Sequence, residues 1–154
     1  MPILAQLCFE QIPLTNLSPT EVVPAYNSAW AAGDIAAALA YLAEDAVYDL
    51  HVSRELLPAG GQTSGRDNIG MMLRKARADF EFILYRPLKL AAAGDTVRFQ
   101  VEFMFRHRAS GEVLSGRLRQ VIKVKDGLIT RIDEFHDRAK VEAFLRLVGG
   151  AGGP

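Results

Sequence analysis

Cysteine is nearly absent: Cys8 is the only one in 154 residues. An internal disulfide is excluded, and so is a zinc site built on several thiolates. No apolar run approaches the roughly 18 residues of a membrane span. Neither sign of charge is in excess, since Lys and Arg total 18 and so do Asp and Glu. Nucleic-acid binders are usually basic, so this balance argues against one. Histidine is scarce as well. His51, His107 and His136 fall on predicted faces that do not converge, which leaves no metal site among them. Gly60-Gly61 and Gly65 lack the pattern of a phosphate loop. Residues 1–11 lack the basic start and small-residue cleavage site of a signal peptide. The expectation is a soluble cytoplasmic protein with no membrane and no nucleic acid among its partners.

What is present fits one domain, since a chain of this length can bury about 70% of its unfolded surface. Residues 1–17 read as an extended N-terminal arm, with a possible short strand over 4–9. Ser18-Pro19-Thr20-Glu21 is a capping box with proline at the first helical position. Val22, Val23, Tyr26 and Trp30 follow at helical spacing, and Pro24 is expected to kink or delay that helix. Gly33 stops it, and Asp34 caps a second helix over 35–42. A strand over 46–52 puts Tyr48, Leu50 and Val52 on one face and Val47, Asp49 and His51 on the other. After a loop, a third helix spans about 67–79.

Three long strands follow, over 80–91, 95–108 and 112–125. In the second, Val97, Phe99, Val101, Phe103 and Phe105 share an apolar face. A two-residue turn at Ser110-Gly111 sets Glu102 against Arg119, Phe103 against Leu118, Val101 against Gln120 and Phe99 against Ile122. Arg106, His107, Arg108, Arg117 and Arg119 flank this hairpin and read as a solvated or dimer-forming sheet face. Asp126-Gly127 is a hairpin turn before a last strand over 128–136. Asp137 caps a closing helix over 138–148, with Val141, Phe144, Leu145 and Val148 on one stripe. Residues 149–154 read as a frayed tail. Helices, a strand meander and one helix make an α+β fold with a mostly antiparallel sheet.

One further pattern joins these pieces. Tyr26…Gly33-Asp34…Leu42-Ala43-Glu44-Asp45-Ala46…Tyr48, then Gly65-Arg66-Asp67…Ile69, then Asp126-Gly127-Leu128-Ile129-Thr130…Phe135…Asp137 resembles the NTF2-like superfamily. It is most similar to the SnoaL-like group, alongside ketosteroid isomerase and limonene-epoxide hydrolase, over residues 18–148. The resemblance implies a cone, a cystatin-like α+β barrel. Helices would pack on a strongly curved sheet around an apolar pocket, and the outer sheet face would form a homodimer. Tyr26 matches the first-helix tyrosine of ketosteroid isomerase. That enzyme's general base falls on Leu50, and its proton-donating aspartate falls near Gln120. Tyr48 matches a tyrosine of limonene-epoxide hydrolase, and Glu134 its last-strand aspartate. Its other polar groups fall on Leu50, Val101 and Phe103, so that hydrolytic triad is broken. SnoaL-type cyclases rely on one pocket carboxylate, a place Glu134 fills.

The residues alone leave two registers for the last strand. A strict two-residue turn pairs Lys125 with Leu128 and puts Asp133 beside Gln120. A bulged turn pairs Val124 with Leu128, and puts Glu134 inward opposite Leu118 and Ile132 opposite Gln120. The resemblance favours Glu134 inward and Asp133 outward. A carboxylate against apolar walls is expected to have a raised pKa and to serve as a proton shuttle. Tyr26 and Tyr48 would donate to an oxyanion, and His136 would hold or relay the proton. Trp30, Leu50, Phe99, Val101, Phe103, Leu118, Gln120 and Ile132 would contact a small hydrophobic carbonyl compound. The expected chemistry is cofactor-free isomerisation or cyclisation. A ligand-binding module or dimeric scaffold without turnover is the alternative.

Overall fold

The computed structural model describes residues 17–151. The expected N-terminal arm, its strand over 4–9 and the last three residues of the tail lie outside the described residues. Helix α1 (Pro19–Ala31) starts at the capping box, where the Ser18 backbone N–H donates to Glu21 Oε1 at 3.0 Å. It runs through Pro24 without the expected delay. Gly33 turns the chain with φ 77°, and Asp34 Oδ1 accepts from the Ala37 N–H at 3.0 Å to start α2 (Ile35–Leu39). That helix stops three residues short of 42, because Leu42 opens β1 (Leu42–His51). Strand β2 (Gly61–Ser64) and helix α3 (Arg66–Asp79) follow. A methyl group on Gly70 would meet Leu39 Cδ1 at 2.8 Å, so glycine lets α2 lie close against α3.

Strands β3 (Phe80–Ala93), β4 (Thr96–His107), β5 (Val113–Lys125) and β6 (Leu128–Phe135) complete one sheet in the order β2-β1-β6-β5-β4-β3. β1 and β6 are parallel, and the other neighbours are antiparallel. The sheet is open, which corrects the expectation of a strongly curved cone or barrel. β2 and β3 are its two edges and do not pair with each other. Four-residue β2 is too short to close a ring against fourteen-residue β3. Helix α4 (Arg138–Ala151) ends the described chain and runs three residues past 148, into the expected tail. Its first turn is held by Asp137 Oδ1, which accepts from the Lys140 N–H at 3.3 Å. Val141, Phe144, Leu145 and Val148 are all buried, as their spacing requires.

Two hairpins depart from the expected register. The turn after β4 is longer than two residues: the His107 N–H donates to Glu112 O and the Gly111 N–H to His107 O. Glu102 therefore lies opposite Arg117, Phe103 opposite Gly116, Val101 opposite Leu118 and Phe99 opposite Gln120. The slip is two residues, so each side chain keeps its face. At Asp126-Gly127 the turn is the tight two-residue kind, with φ of 53° and 77° and Lys125 opposite Leu128. A bulge then falls inside the strand, between the Val124–Ile129 and Lys123–Arg131 pairs. Neither expected register holds along the whole strand. Beyond the bulge Ile132 lies opposite Ile122 and Glu134 opposite Gln120.

Candidate functional site

The bulge decides which carboxylate turns inward. Glu134 sits between Leu50 on β1 and Gln120 on β5. Its Oε1 accepts a short hydrogen bond from the Tyr48 hydroxyl and one of 2.6 Å from Gln120 Nε2. Gln120 Nε2 also lies 3.3 Å from the Tyr48 oxygen. Glu134 Oε2 lies 2.6 Å from His136 Nε2. The His136 side chain is 7% exposed, and its ring meets Phe103 edge-on at 5.7 Å. His136 Nδ1, Tyr85 Oη and Gln120 Oε1 are buried without a hydrogen-bond partner.

This network borders a hollow of about 170 Å³. Tyr48, Glu134, His136 and Leu118 form its sheet side, and Trp30, Phe82, Tyr85 and Phe105 an aromatic wall. Helix α4 covers it with Val141, Phe144 and Leu145, and α3, the 57–59 loop and the strand residues Leu50, Val52, Phe80 and Leu114 complete the lining. The wall is itself packed: Trp30 meets Phe82 edge-on at 5.0 Å, and Phe82 stacks on Phe105 at 4.2 Å. Of the residues expected to contact a ligand, Trp30, Leu50 and Leu118 line the hollow. Phe99, Val101, Phe103, Gln120 and Ile132 are set back in the core, each at most 4% exposed. Tyr26 is 1% exposed and also lies behind the lining.

Phe82 and Tyr85 are lining residues that strand alternation alone does not reveal, whereas Leu114 shares the period-two face of Leu118 and the α4 stripe follows from helical spacing. A register shift in β3 between Phe82 and Leu84 is the reason. It lets Phe82 and Tyr85, three apart, reach the same side.

The electrostatics correct the expected raised carboxyl. Burial does push the Glu134 pKa up, but the His136 hydrogen bond and charge, with the Tyr48 and Gln120 hydrogen bonds, outweigh it. The net direction is down, so Glu134 is held as a carboxylate. Burial first, and then the Glu134 charge, pushes the Tyr48 phenol well up, which keeps it a donor. The same two causes raise Tyr26 and Tyr85.

On the other side of the same strands lies a second cluster. Arg131 Nε is 2.9 Å from Asp133 Oδ2, and Arg131 Nη2 is 3.1 Å from Asp49 Oδ2. His51 Nε2 is 3.1 Å from Asp133 Oδ1, and its ring stacks on Phe135 at 4.2 Å. The Asp49, His51 and Asp133 donors lie within 4.8 Å of one another, the spacing of a cation site. Arg131 already takes both carboxylates, so its guanidinium holds the place a cation would fill. The basic residues of the β4–β5 hairpin are likewise distributed. Arg106 pairs with Glu81 at 2.7 Å, His107 Nδ1 lies 2.8 Å from Ser110 Oγ, and Arg119 lies over the Phe135 ring.

The family model of the SnoaL-like domain matches residues 23–132. The chain belongs to the SnoaL-like family, within the NTF2-like superfamily. Solved structures agree on the fold. An NTF2-like protein from Burkholderia thailandensis is 23% identical, with a TM-score of 0.70 over 90% of this chain and 99% of that one. A cystatin-like protein of unknown function from Xanthomonas campestris is 22% identical, with a TM-score of 0.73 over 84% and 98%. A candidate polyketide cyclase from Xanthomonas campestris is 23% identical, with a TM-score of 0.70 over 82% and 96%. No curated protein matches the chain. At these identities the solved relatives establish the fold of this SnoaL-like protein and nothing of its chemistry. Among the described residues no helix is long and apolar enough to cross a membrane.

Proposed function

We propose that this SnoaL-like protein catalyses proton transfer on a small hydrophobic carbonyl compound, an isomerase- or cyclase-type reaction without cofactor. One observation carries the reading: Glu134 and His136, 2.6 Å apart, both line an otherwise largely apolar hollow. A carboxylate and an imidazole in contact can hold and pass a proton near neutral pH. Tyr48 and Gln120 fix the carboxylate, and Tyr26 supports the site from behind the lining. The hollow's volume limits the substrate. An apolar cavity of roughly 150 Å³ holds a benzene-sized molecule, so a single-ring compound is the expected size. The outer sheet face, with Arg117, Arg119 and the Asp49–Arg131–Asp133 cluster, is the proposed homodimer surface.

A second reading has its own support. Both Glu134 oxygens already accept hydrogen bonds, as they would in a binding module whose carboxylate is structural. Deuterium uptake into cyclohexanone in heavy water, followed by NMR, separates the two. Uptake above the buffer rate that Glu134→Gln abolishes supports catalysis. Uptake that Glu134→Gln leaves unchanged rejects the acid–base role. Binding of single-ring ketones with no uptake supports the module.

A further inference from the structure

Helix α4 covers the hollow but is lightly held. Val141, Phe144 and Leu145 of its apolar stripe face the empty space. A side chain beside a void has no partner atoms on that side and forfeits their dispersion contacts. Among the described residues no backbone hydrogen bond joins α4 to another element. Its polar ties to the rest of the chain come from two side chains. Lys140 Nζ donates to Ser115 O on β5, and Glu142 Oε2 accepts from the Ser53 N–H at 2.9 Å.

The loop that receives the Glu142 tie is firmly anchored. Arg54 Nε donates to Gly60 O at 2.8 Å and Arg54 Nη2 to Gln62 O at 3.0 Å, while the Gly60 N–H donates to Leu57 O at 2.8 Å. A methyl group on Gly60 would meet Val52 O at 2.4 Å, so the two ends of the loop touch. The connection into α4 is short. Strand β6 makes its last pairs at Phe135. Asp137 already belongs to the helix, since its backbone O accepts from the Val141 N–H at 3.0 Å and its Oδ1 from the Lys140 N–H. Only His136 lies between. A swing of α4 therefore bends the chain at His136 and carries its ring away from Glu134.

We propose that α4 is a hinged cover, that Glu142 is the latch seating it on the 53–60 loop, and that the Glu134–His136 contact exists only while the cover is seated. This proposal rests on the reading of the hollow as a proton-transfer site. It makes Glu142 a positioning residue, because Glu142 does not line the hollow and acts through His136. Elements with few ties open at the smallest cost in free energy, and α4 is such an element. Seated, the helix roofs the hollow and assembles the proton-carrying pair. Swung out, it undoes both at once. Proton transfer is thereby confined to the state from which water is excluded.

Two rates measured on the full chain without ligand test this: amide hydrogen exchange, and modification of His136 by diethyl pyrocarbonate followed by mass spectrometry. Wild type is compared with Glu142→Ala and Glu142→Gln. Both variants lose the charge that faces Arg138, but only glutamine keeps an oxygen for the Ser53 N–H. Glu142→Ala is expected to speed α4 exchange and His136 modification by the same factor, about tenfold, the least that a hydrogen bond to a charged group is worth. Exchange in β4 and β5 and modification of His51 should not change. Glu142→Gln should bring both rates back toward wild type. If α4 exchange rises and His136 modification does not, the helix opens without its histidine and the proposal fails. If exchange in β4 and β5 rises equally, α4 unfolds with the whole chain and is no cover. If Glu142→Gln behaves like Glu142→Ala, or if neither rate moves in either variant, Glu142 is no latch. None of these failures touches the proton-transfer reading, whose own failure is read from deuterium uptake into cyclohexanone.

Discussion

Strands β1 and β6 carry one carboxylate cluster on each side, and the two are built differently. Inward, Glu134 is met by a phenol, an amide and an imidazole. Outward, its neighbour Asp133 is met by a guanidinium and an imidazole, and Asp49 shares the guanidinium. Both pKa values move down against the opposing effect of burial. Their partners' exposure sets them apart: Arg131 and His51 are about one-third exposed, at 33% and 35%, whereas His136 is 7% exposed. Short hydrogen bonds from buried donors hold a charge inside a protein without a solvated counter-ion. An exposed ion pair does the same task with water as a competitor.

The largest test of this contrast is to remove each carboxylate in turn. Glu134→Ala leaves three buried donors without an acceptor and is expected to cost about 3–5 kcal/mol in urea unfolding. Acid should reveal the same group. The folded pKa of Glu134 lies below its ordinary value of 4.5. Its contribution is therefore full above that value and is lost as pH falls through the lowered one. Stability measured from pH 6 to pH 3 should fall less steeply in Glu134→Ala than in the wild-type chain. Asp133→Ala is expected to cost no more than about 1 kcal/mol, because its partners are part-exposed. The smallest effect is that of salt. At 1 M NaCl the screening length is about 3 Å, so the gap between wild type and Asp133→Ala should shrink. The gap to Glu134→Ala should persist. Equal costs for the two alanine variants, or equal salt sensitivity, would break the comparison.

The sequence reveals local rules well and interruptions of them poorly. Ser18 with Glu21, Asp34 and Asp137 mark helix starts that the structure uses. The apolar face of β4 is buried at Val97, Phe99, Val101 and Phe103 as its alternation requires. What escaped are the places where period two breaks. The β6 bulge has no glycine to announce it, yet it sets the face of every residue from Arg131 onward. The β3 shift near Ile83 brings in Tyr85, which strict alternation from Phe82 would turn away. Closure of the sheet is not legible in the sequence, because pairing between edge strands is not a local property. The direction of the Glu134 pKa is hidden from the sequence for a related reason. Burial is legible from apolar neighbours, but the converging donors Gln120 and His136 depend on a register that the sequence left open.

The central claim is that Glu134 is an inward carboxylate kept ionised by Tyr48, Gln120 and His136. A carboxyl-carbon NMR titration of the folded protein tests it most directly. The account predicts a Glu134 midpoint below 4.5, and an upward move of that midpoint in Tyr48→Phe. A midpoint at or above the ordinary glutamate value, unmoved by Tyr48→Phe, would contradict it.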